Sequence, residues 1–346
     1  MADIEAQISV VSPSRGPMRA GTHMANRDRR TRMKPIRHLA ATTPHRKSTL
    51  FPGLEDAVLT LYEGTPLRSR GPNDEKQADQ LDIFHHICLL LLDGELHLAP
   101  ISKNPMNVLD VGTGTGIWAI DFADRYPSAE VLGTDLSPTQ PSMVPPNLSF
   151  EVDDCTEPWL FRKEQFDFIH VRGLFGSVAD WATFYREAYN HLQPGGWYEQ
   201  LEASVVLKSD DGTIVPDSIF DQWGKLSLQM GDKFGKTLRI VDEQKAGVEA
   251  AGFINVVEHR WKLPIGGWPS DRRFKELGRY NQIHWDQGIE GWCLYLLTMV
   301  MEWKLEEVQV YLAKMRQALR DKSIHAYQEI SLVYGQKPPR SRADDD

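Results

Sequence analysis

The sequence contains few cysteines and no long apolar run. Its three cysteines, Cys88, Cys155 and Cys293, are too widely spaced for a disulfide framework or a zinc site. No apolar stretch approaches the roughly 20 residues that span a bilayer, and no basic start followed by an apolar segment marks a signal peptide. We therefore predict a cytoplasmic or nuclear protein that does not enter a membrane.

The net charge of -9 is unevenly distributed along the chain. Residues 1–48 hold ten basic and three acidic residues, a net charge of +7, which leaves -16 for the remainder. An acidic body of this kind argues against direct binding of nucleic acid. We predict a disordered basic tail over residues 1–48 and a second disordered tail over residues 337–346. The basic cluster at residues 27–34 is either a nuclear localisation signal or part of a solvated tail.

A glycine-rich turn between an apolar strand and a helix is the most informative stretch of the chain. Within residues 107–120, Gly112, Gly114 and Gly116 alternate, as expected where a nucleotide-like group lies on the backbone. The dinucleotide fingerprint would need a further glycine at Ile117, and a phosphate-binding loop would need a lysine. Asp110, just before the turn, would repel a pyrophosphate and attract an ammonium. These features predict S-adenosyl-L-methionine as the cofactor.

Acidic residues follow the next two predicted strands. Asp135 ends a strand at 130–135, where a carboxylate can accept hydrogen bonds from both ribose hydroxyls, although it could also cap the next turn. A third strand, 148–152, is followed by Asp153, Asp154 and Cys155, and a carboxylate there can accept from an adenine amino group.

The remaining pattern alternates strands and helices, which predicts an α/β fold with a parallel sheet. Further strands are predicted at 166–172, 197–207, 256–263 and 327–334. Helices are predicted at 73–98, 118–125, 180–192, 217–234 and 242–251.

Several motifs resemble those of known methyltransferases. The run 110–116, Asp135 and the Leu-Gln-Pro-Gly-Gly turn at 192–196 resemble class I S-adenosylmethionine-dependent methyltransferases. Four further segments resemble the LaeA-like methyltransferases of filamentous fungi: Leu-Asp-Ile-Phe-His-His (81–86), Gly-Ile-Trp-Ala-Ile-Asp-Phe-Ala (116–123), Gly-Thr-Asp-Leu-Ser-Pro-Thr-Gln-Pro (133–141) and Lys-Ser-Ile-His-Ala-Tyr (322–327). The likeness extends over residues 60–336.

This resemblance implies a Rossmann-like, seven-stranded sheet whose last two strands are antiparallel. It implies a helical N-terminal cover at 49–104 and a methyltransferase domain at 105–336, with a helical lid insert at 269–323 before the last strand. The residues implied in cofactor binding are Asp110 near the ammonium, Gly112, Thr113, Gly114 and Gly116 along the methionine and ribose, Asp135 with Leu136 at the ribose, and Asp154 with Cys155 at the adenine. Thr113 replaces the cysteine expected in the regulator that names the family, which favours the wider group of LaeA-like enzymes.

Methyl transfer from a sulfonium needs positioning and desolvation, and an alcohol, phenol or protonated amine acceptor also benefits from a general base. His170 and Glu202 are our candidates, with Glu199 beside them and His284 and His325 as weaker ones. His170 could equally be a hydrogen-bonded core histidine. No metal site, catalytic serine triad or carboxylate pair is evident.

Two functions are open at this point. The first is methyl transfer to an oxygen or nitrogen atom of a small molecule in fungal secondary-metabolite biosynthesis. The second is that of a LaeA-type nuclear regulator of such gene clusters, which acts with protein partners. Six of the ten tryptophans lie between Trp223 and Trp303, where they could line a pocket for a bulky, flat acceptor or simply pack the insert.

Overall fold

The computed structural model describes residues 75–340. The predicted tail at 1–48, residues 49–74 of the predicted cover and residues 341–346 lie outside that range. Seven strands form one sheet: β1 Asn107–Val111, β2 Glu130–Asp135, β3 Leu148–Val152, β4 Phe166–Arg172, β5 Leu192–Lys208, β6 Ile254–Pro264 and β7 Tyr327–Gln336. The helices are α1 Glu75–Leu91, α2 Ile117–Arg125, α3 Trp181–His191, α4 Ile219–Phe234, α5 Ile240–Ala250, α6 Arg272–Tyr295 and α7 Leu305–Leu319, with a π-helical turn, Leu296–Val300, after α6.

The strand order is β3-β2-β1-β4-β5-β7-β6. Strands β1 to β5 are parallel, and β7 runs antiparallel between β5 and β6. The order reverses at β1, so β1 and β4 are neighbours, and the crevice above their carboxyl ends is where ligands bind in open α/β sheets. The predicted α/β fold, its seven-stranded sheet and its antiparallel last pair are confirmed.

Apolar side chains cover both faces of the sheet. On one face α2 packs Trp118 and Phe122 against β1, β2 and β4. On the other face α3 packs Phe184 and Tyr185 against β4 and β5. A further cluster joins α4, α6 and α7 and includes Trp223 and Trp285, so the segment between β6 and β7 shares a core with α4.

Two boundaries differ from the sequence-based prediction by five residues or more, each for a backbone reason. Helix α1 ends at Leu91 and does not reach 98, because Asp93 and Gly94 adopt left-handed φ angles of 56° and 84°. Strand β5 begins at Leu192, five residues before its predicted start. The Gly195 N–H donates to the Lys337 carbonyl, and the Lys337 N–H donates to the Gly196 carbonyl, both at 2.9 Å.

These hydrogen bonds show that the segment predicted as a turn is paired within the sheet. Lys337, the first residue of the predicted second tail, is buried, and its Nζ donates to the Leu192 carbonyl at 2.8 Å. This residue therefore packs against the sheet. No helix within residues 75–340 is both long and apolar enough to cross a bilayer.

Candidate active site

The turn between β1 and α2 holds its three glycines in the left-handed region of backbone space. Gly112, Gly114 and Gly116 have φ angles of 70°, 59° and 81°. An L residue that carries a side chain adopts such angles only with backbone strain. At Gly112 a Cβ atom would in addition lie 2.4 Å from Cδ2 of Leu174. Glycine is therefore required at this position by both conformation and space.

Asp135 joins this turn to the end of β2. Its Oδ2 accepts a hydrogen bond from the Gly114 N–H, and its Oδ1 accepts one from the Ser137 N–H, both at 2.9 Å. Burial raises the pKa of Asp135, and the two backbone hydrogen bonds oppose that rise. The carboxylate therefore caps the turn that follows it and also fixes the glycine turn.

A small cavity lies beside Gly112, at the carboxyl ends of β2 and β3, with about 530 Å³ of empty space, part of it open to solvent. It is lined by Gly112, Thr134, Asp135, Leu136, Asp153, Asp154, Cys155, Thr156, Leu174 and Ser177. Oδ1 of Asp154 accepts hydrogen bonds from the N–H and the hydroxyl of Thr156, at 3.0 and 2.6 Å. Burial raises the pKa of Cys155 to about 12, which keeps its thiol protonated. The structure thus brings together the residues predicted at the ribose and adenine.

Asp110 and His170 lie opposite each other on β1 and β4 and form a buried pair. Oδ1 of Asp110 lies 2.7 Å from Nδ1 of His170, and Oδ2 of Asp110 accepts from the Thr113 hydroxyl at 2.5 Å. The imidazole of His170 stacks on Trp118, with ring centroids 3.6 Å apart and an interplanar angle of 3°. Burial lowers the pKa of His170, although Asp110 opposes that change. This histidine is hydrogen-bonded in the core and also borders the main cavity.

The two glutamates of β5 are fully buried and bind backbone N–H groups. The carboxylate of Glu202 accepts from the N–H groups of Leu174 and Phe175, each at 3.1 Å. Oε2 of Glu199 accepts from the N–H groups of Leu98 and Ala99, at 2.8 and 2.6 Å. Burial raises the pKa of Glu199 to about 7. Neither glutamate belongs to the described lining of the main cavity.

The main cavity extends from the glycine turn to the helical segment between β6 and β7. It holds about 1080 Å³ of empty space, part of it open to solvent. Part of its aromatic and large apolar lining comes from α1, α4, α6 and the π-helical turn: Phe84, Trp223, Met230, Trp285, Trp292 and Leu296. Of the six tryptophans between Trp223 and Trp303, three line this cavity: Trp223, Trp285 and Trp292. The same three also pack in the cluster of α4, α6 and α7.

Several polar groups line this cavity. From the sequence, His284 was a weaker candidate for a general base, and no polar role was assigned to Gln80, Trp223, Ser227 or Arg172. His284 is held by Gln80, whose Nε2 lies 2.7 Å from Nδ1 of His284. Nε1 of Trp223 and Oγ of Ser227 are buried and have no hydrogen-bond partner in the described part of the chain. Arg172 ends β4 and faces the same space. Two sequence signals could have identified these residues. Arg172 is a charged residue at the end of an apolar strand, and Trp223 and Ser227 are four residues apart, which places them on one face of α4. His325 lies elsewhere, 2.5 Å from Asp211.

Comparison with known proteins identifies the family. A family model described as a methyltransferase domain matches residues 83–256, about half of the chain. The chain is 39% identical over 268 residues to the methyltransferase pytC of Aspergillus terreus, covering 77% of this chain and 82% of that protein. It is 37% identical over 273 residues to the secondary metabolism regulator LAE1 of Cochliobolus heterostrophus, covering 77% and 89%. The chain belongs to the LaeA-like S-adenosylmethionine-dependent methyltransferases.

A further relative is named for a protein acceptor. The protein-methionine methyltransferase laeA of Emericella nidulans is 32% identical over 271 residues, covering 78% of this chain and 72% of that protein. LaeA-like methyltransferases thus include proteins named as enzymes and proteins named as regulators.

The site of this LaeA-like methyltransferase fits S-adenosylmethionine. The small cavity offers carboxylates, which accept hydrogen bonds from the hydroxyl and amino groups that adenosine carries. The main cavity continues from it, and Gly112 lines both. When bound, the cofactor supplies a methyl group activated by a sulfonium, so the chain has to position and desolvate the reactants. Within residues 75–340, no group of three or more histidine, cysteine or acidic residues could hold a metal ion.

Proposed function

We propose that this methyltransferase modifies an oxygen or nitrogen atom of a small, flat molecule in fungal secondary-metabolite biosynthesis. The observation that carries this proposal is the aromatic cavity, which opens directly onto the glycine turn. Such cavities, apolar with a few fixed polar groups, are typical of small-molecule sites. The names of relatives such as the methyltransferase pytC are compatible with this function.

For the cofactor we propose the following contacts. Asp135 with Leu136 holds the ribose, Asp154 with Cys155 borders the adenine, and Gly112, Thr113, Gly114 and Gly116 follow the ribose and methionine. Asp110 lies near the ammonium, at a carboxylate that His170 and Thr113 already orient. A role of His170 or Glu202 as general base stays a prediction.

Two unpaired polar atoms support recognition of an acceptor oxygen or nitrogen. Trp223 and Ser227 are 3% and 1% exposed, lie one turn apart on α4 and line the aromatic cavity. Leaving a buried polar atom without a partner costs on the order of 1–3 kcal/mol. A ligand atom that accepts from the indole N–H, and that shares a hydrogen bond with the hydroxyl, would remove this cost.

A second function is favoured by the regulator LAE1 and by the protein-methionine methyltransferase laeA. In this alternative the acceptor is a protein, or the chain acts with protein partners as a nuclear regulator. Met230, a buried thioether in the same cavity, is an internal position at which such methylation would be sought. The compartment, cytoplasm or nucleus, depends on which function holds; the free cysteines of the described chain suit either.

The two functions predict different fates for the methyl group. Purified protein is incubated with S-adenosylmethionine carrying a radiolabelled methyl group and with fungal extract that has been separated into small-molecule and protein fractions. We expect label in organic-soluble small molecules. Label found only in protein, and located by mass spectrometry, would overturn the small-molecule proposal.

Variants of α4 connect this result to the cavity. Trp223→Phe removes the indole N–H and keeps an aromatic ring, and Ser227→Ala removes the hydroxyl. Each should lower labelling of small molecules about 10-fold, with unchanged affinity for S-adenosylhomocysteine. Gln222→Ala, an exposed neighbour on the same helix, is the control. Unchanged labelling in both variants would contradict a role of this pair.

A further inference from the structure

Arg172 stands directly beside the glycine turn. It follows Val171, which pairs with Val111 of β1, so Arg172 and Gly112 are the next residues along two adjacent parallel strands. Its side chain is half-buried and lines the main cavity together with Gly112 and Gly114. A guanidinium group is therefore located beside the glycine turn along which we propose that the methionine moiety of the cofactor lies.

This guanidinium forms no ion pair with a carboxylate of the described chain, residues 75–340. A half-buried cation without a countercharge is unfavourable, because burial removes part of its hydration. Asp110 is the acidic residue that the same cavity lining contains. Its two oxygens already face Nδ1 of His170 and the Thr113 hydroxyl, at 2.7 and 2.5 Å. The cavity thus presents a positive charge that a bound anion would neutralise.

A hydrogen-bonded chain from α1 and α2 orients the guanidinium. Nη1 of Arg172 lies 3.0 Å from Nδ1 of His85, and Nε2 of His85 lies 2.9 Å from Oδ2 of Asp121. Because a guanidinium only donates, Nδ1 of His85 accepts, and Nε2 carries the proton that is donated to Asp121. Burial lowers the pKa of His85, with a smaller contribution from Arg172, which is consistent with a neutral imidazole.

S-adenosylmethionine carries one anionic group, the α-carboxylate of its methionine moiety. We propose that Arg172 binds this carboxylate, and that His85 and Asp121 are positioning residues for Arg172. The planar guanidinium matches a carboxylate in a two-point contact. Its Nη1 is held by His85, and the guanidinium also forms a side-chain hydrogen bond with Cys88, so the ligand would bind the remaining N–H donors. His85 and Arg172, which lie 87 residues apart, would then both contribute to binding of the carboxylate.

Two ligands that differ in the amino-acid end, and so in both its carboxylate and its ammonium, test the proposal. S-adenosylhomocysteine carries the amino-acid end, whereas 5′-methylthioadenosine has the adenosine and a thioether alone. Calorimetry on the full chain should show that Arg172→Gln weakens S-adenosylhomocysteine about 10- to 100-fold and changes 5′-methylthioadenosine less than about threefold. Arg172→Lys should lie between the two, since it keeps the charge and loses the planar fork. Arg125→Gln, an exposed arginine on α2, is the control.

The outcomes separate a carboxylate contact from general damage. Equal weakening of both ligands would show that Arg172 supports the fold of the site, and would overturn the proposal. Unchanged binding of S-adenosylhomocysteine would also overturn it, and a loss of labelling with such intact binding would assign the arginine to the acceptor. Binding of 5′-methylthioadenosine shows in every case that the variant is folded.

His85 variants test the positioning role. His85→Asn keeps an acceptor near the place of Nδ1, and His85→Leu does not. We expect His85→Leu to lower the affinity for S-adenosylhomocysteine and to leave that for 5′-methylthioadenosine unchanged, with His85→Asn restoring part of the loss. If both variants behave alike, His85 does not act through Arg172.

Discussion

The carboxylate of Asp135, at the end of β2, accepts a hydrogen bond from the backbone N–H of Gly114 at 2.9 Å. This contact joins the end of β2 to the glycine turn that follows β1. Asp135 therefore stabilises the turn before any cofactor binds, and it also lines the small cavity. Its substitution should affect both the shape of the turn and the contact with the ribose.

We predict that Asp135→Ala lowers the affinity for S-adenosylhomocysteine about 10- to 100-fold. The Gly114 N–H loses its partner, and a charged acceptor for the ribose is removed, each worth on the order of 1–3 kcal/mol. Calorimetry measures the effect, with Asp124→Ala, an exposed aspartate of α2, as the control. Equal affinities in the two variants would contradict the assignment of the ribose site.

Gly112 and Gly94 form a matched pair for testing the turn. Both have left-handed φ angles, 70° and 84°, so alanine introduces backbone strain of about 1–2 kcal/mol at either position. A Cβ atom at Gly94 meets nothing within 4 Å, whereas at Gly112 it would lie 2.4 Å from Leu174. We predict that Gly112→Ala abolishes measurable cofactor binding and that Gly94→Ala leaves it unchanged.

Thermal unfolding of the two alanine variants completes this comparison. Gly112→Ala should lower the melting temperature more than Gly94→Ala does, because Leu174 must move in addition to the strain. A cofactor affinity that falls equally in both would mean that strain alone, and not the crowding beside the cavity, governs binding.

Glu199 gives a pH-dependent prediction. Its pKa is raised from 4.5 to about 7 by burial, so the folded chain holds a proton that the unfolded chain releases between those values. The stability that this proton contributes is present in acid, declines as the pH rises from 4.5 to 7, and is absent above. We predict that Glu199→Gln raises the melting temperature relative to the wild type at pH 8 by more than at pH 5.

The same variant addresses catalysis. Glu199 is not among the described residues that line the main cavity. The Glu199→Gln variant should therefore retain methyl transfer, although the stability of the protein changes. Glu151→Gln, an exposed glutamate of β3, is the control for the pH series. An equal melting-temperature difference at both pH values would contradict a buried, protonated Glu199.

Local sequence patterns predicted the cofactor half of the molecule well. Strands β2, β3 and β4 have the predicted ends, because each is a short apolar run closed by acids or a glycine. Asp135 and Cys155 could be placed in one cavity because parallel strands bring their carboxyl ends to one edge. Family motifs added the antiparallel β7, which no local pattern distinguishes from a parallel strand.

The rest depended on contacts between distant segments. The Pro-Gly-Gly run at 194–196 looks like a turn, and its pairing with Lys337 is invisible locally. The meeting of His85 with Arg172 requires α1 to lie over β4. Likewise, Trp223 and Ser227 could be placed on one face of α4, whereas the cavity they border is formed by helices 60 residues later in the chain.

Pro264 and Tyr327 are register partners at the facing ends of β6 and β7. The 62 residues between them therefore leave and re-enter the sheet at a single point, like a long loop on a hairpin. Evolution can lengthen, shorten or replace such a segment without disturbing the strands that carry the glycine turn. Exchange of this one piece replaces Trp285, Trp292 and Leu296 of the cavity lining and leaves Trp223 and Ser227 of α4 in place. Chimaeras joined at Pro264 and Tyr327 should therefore change the acceptor preference only in part.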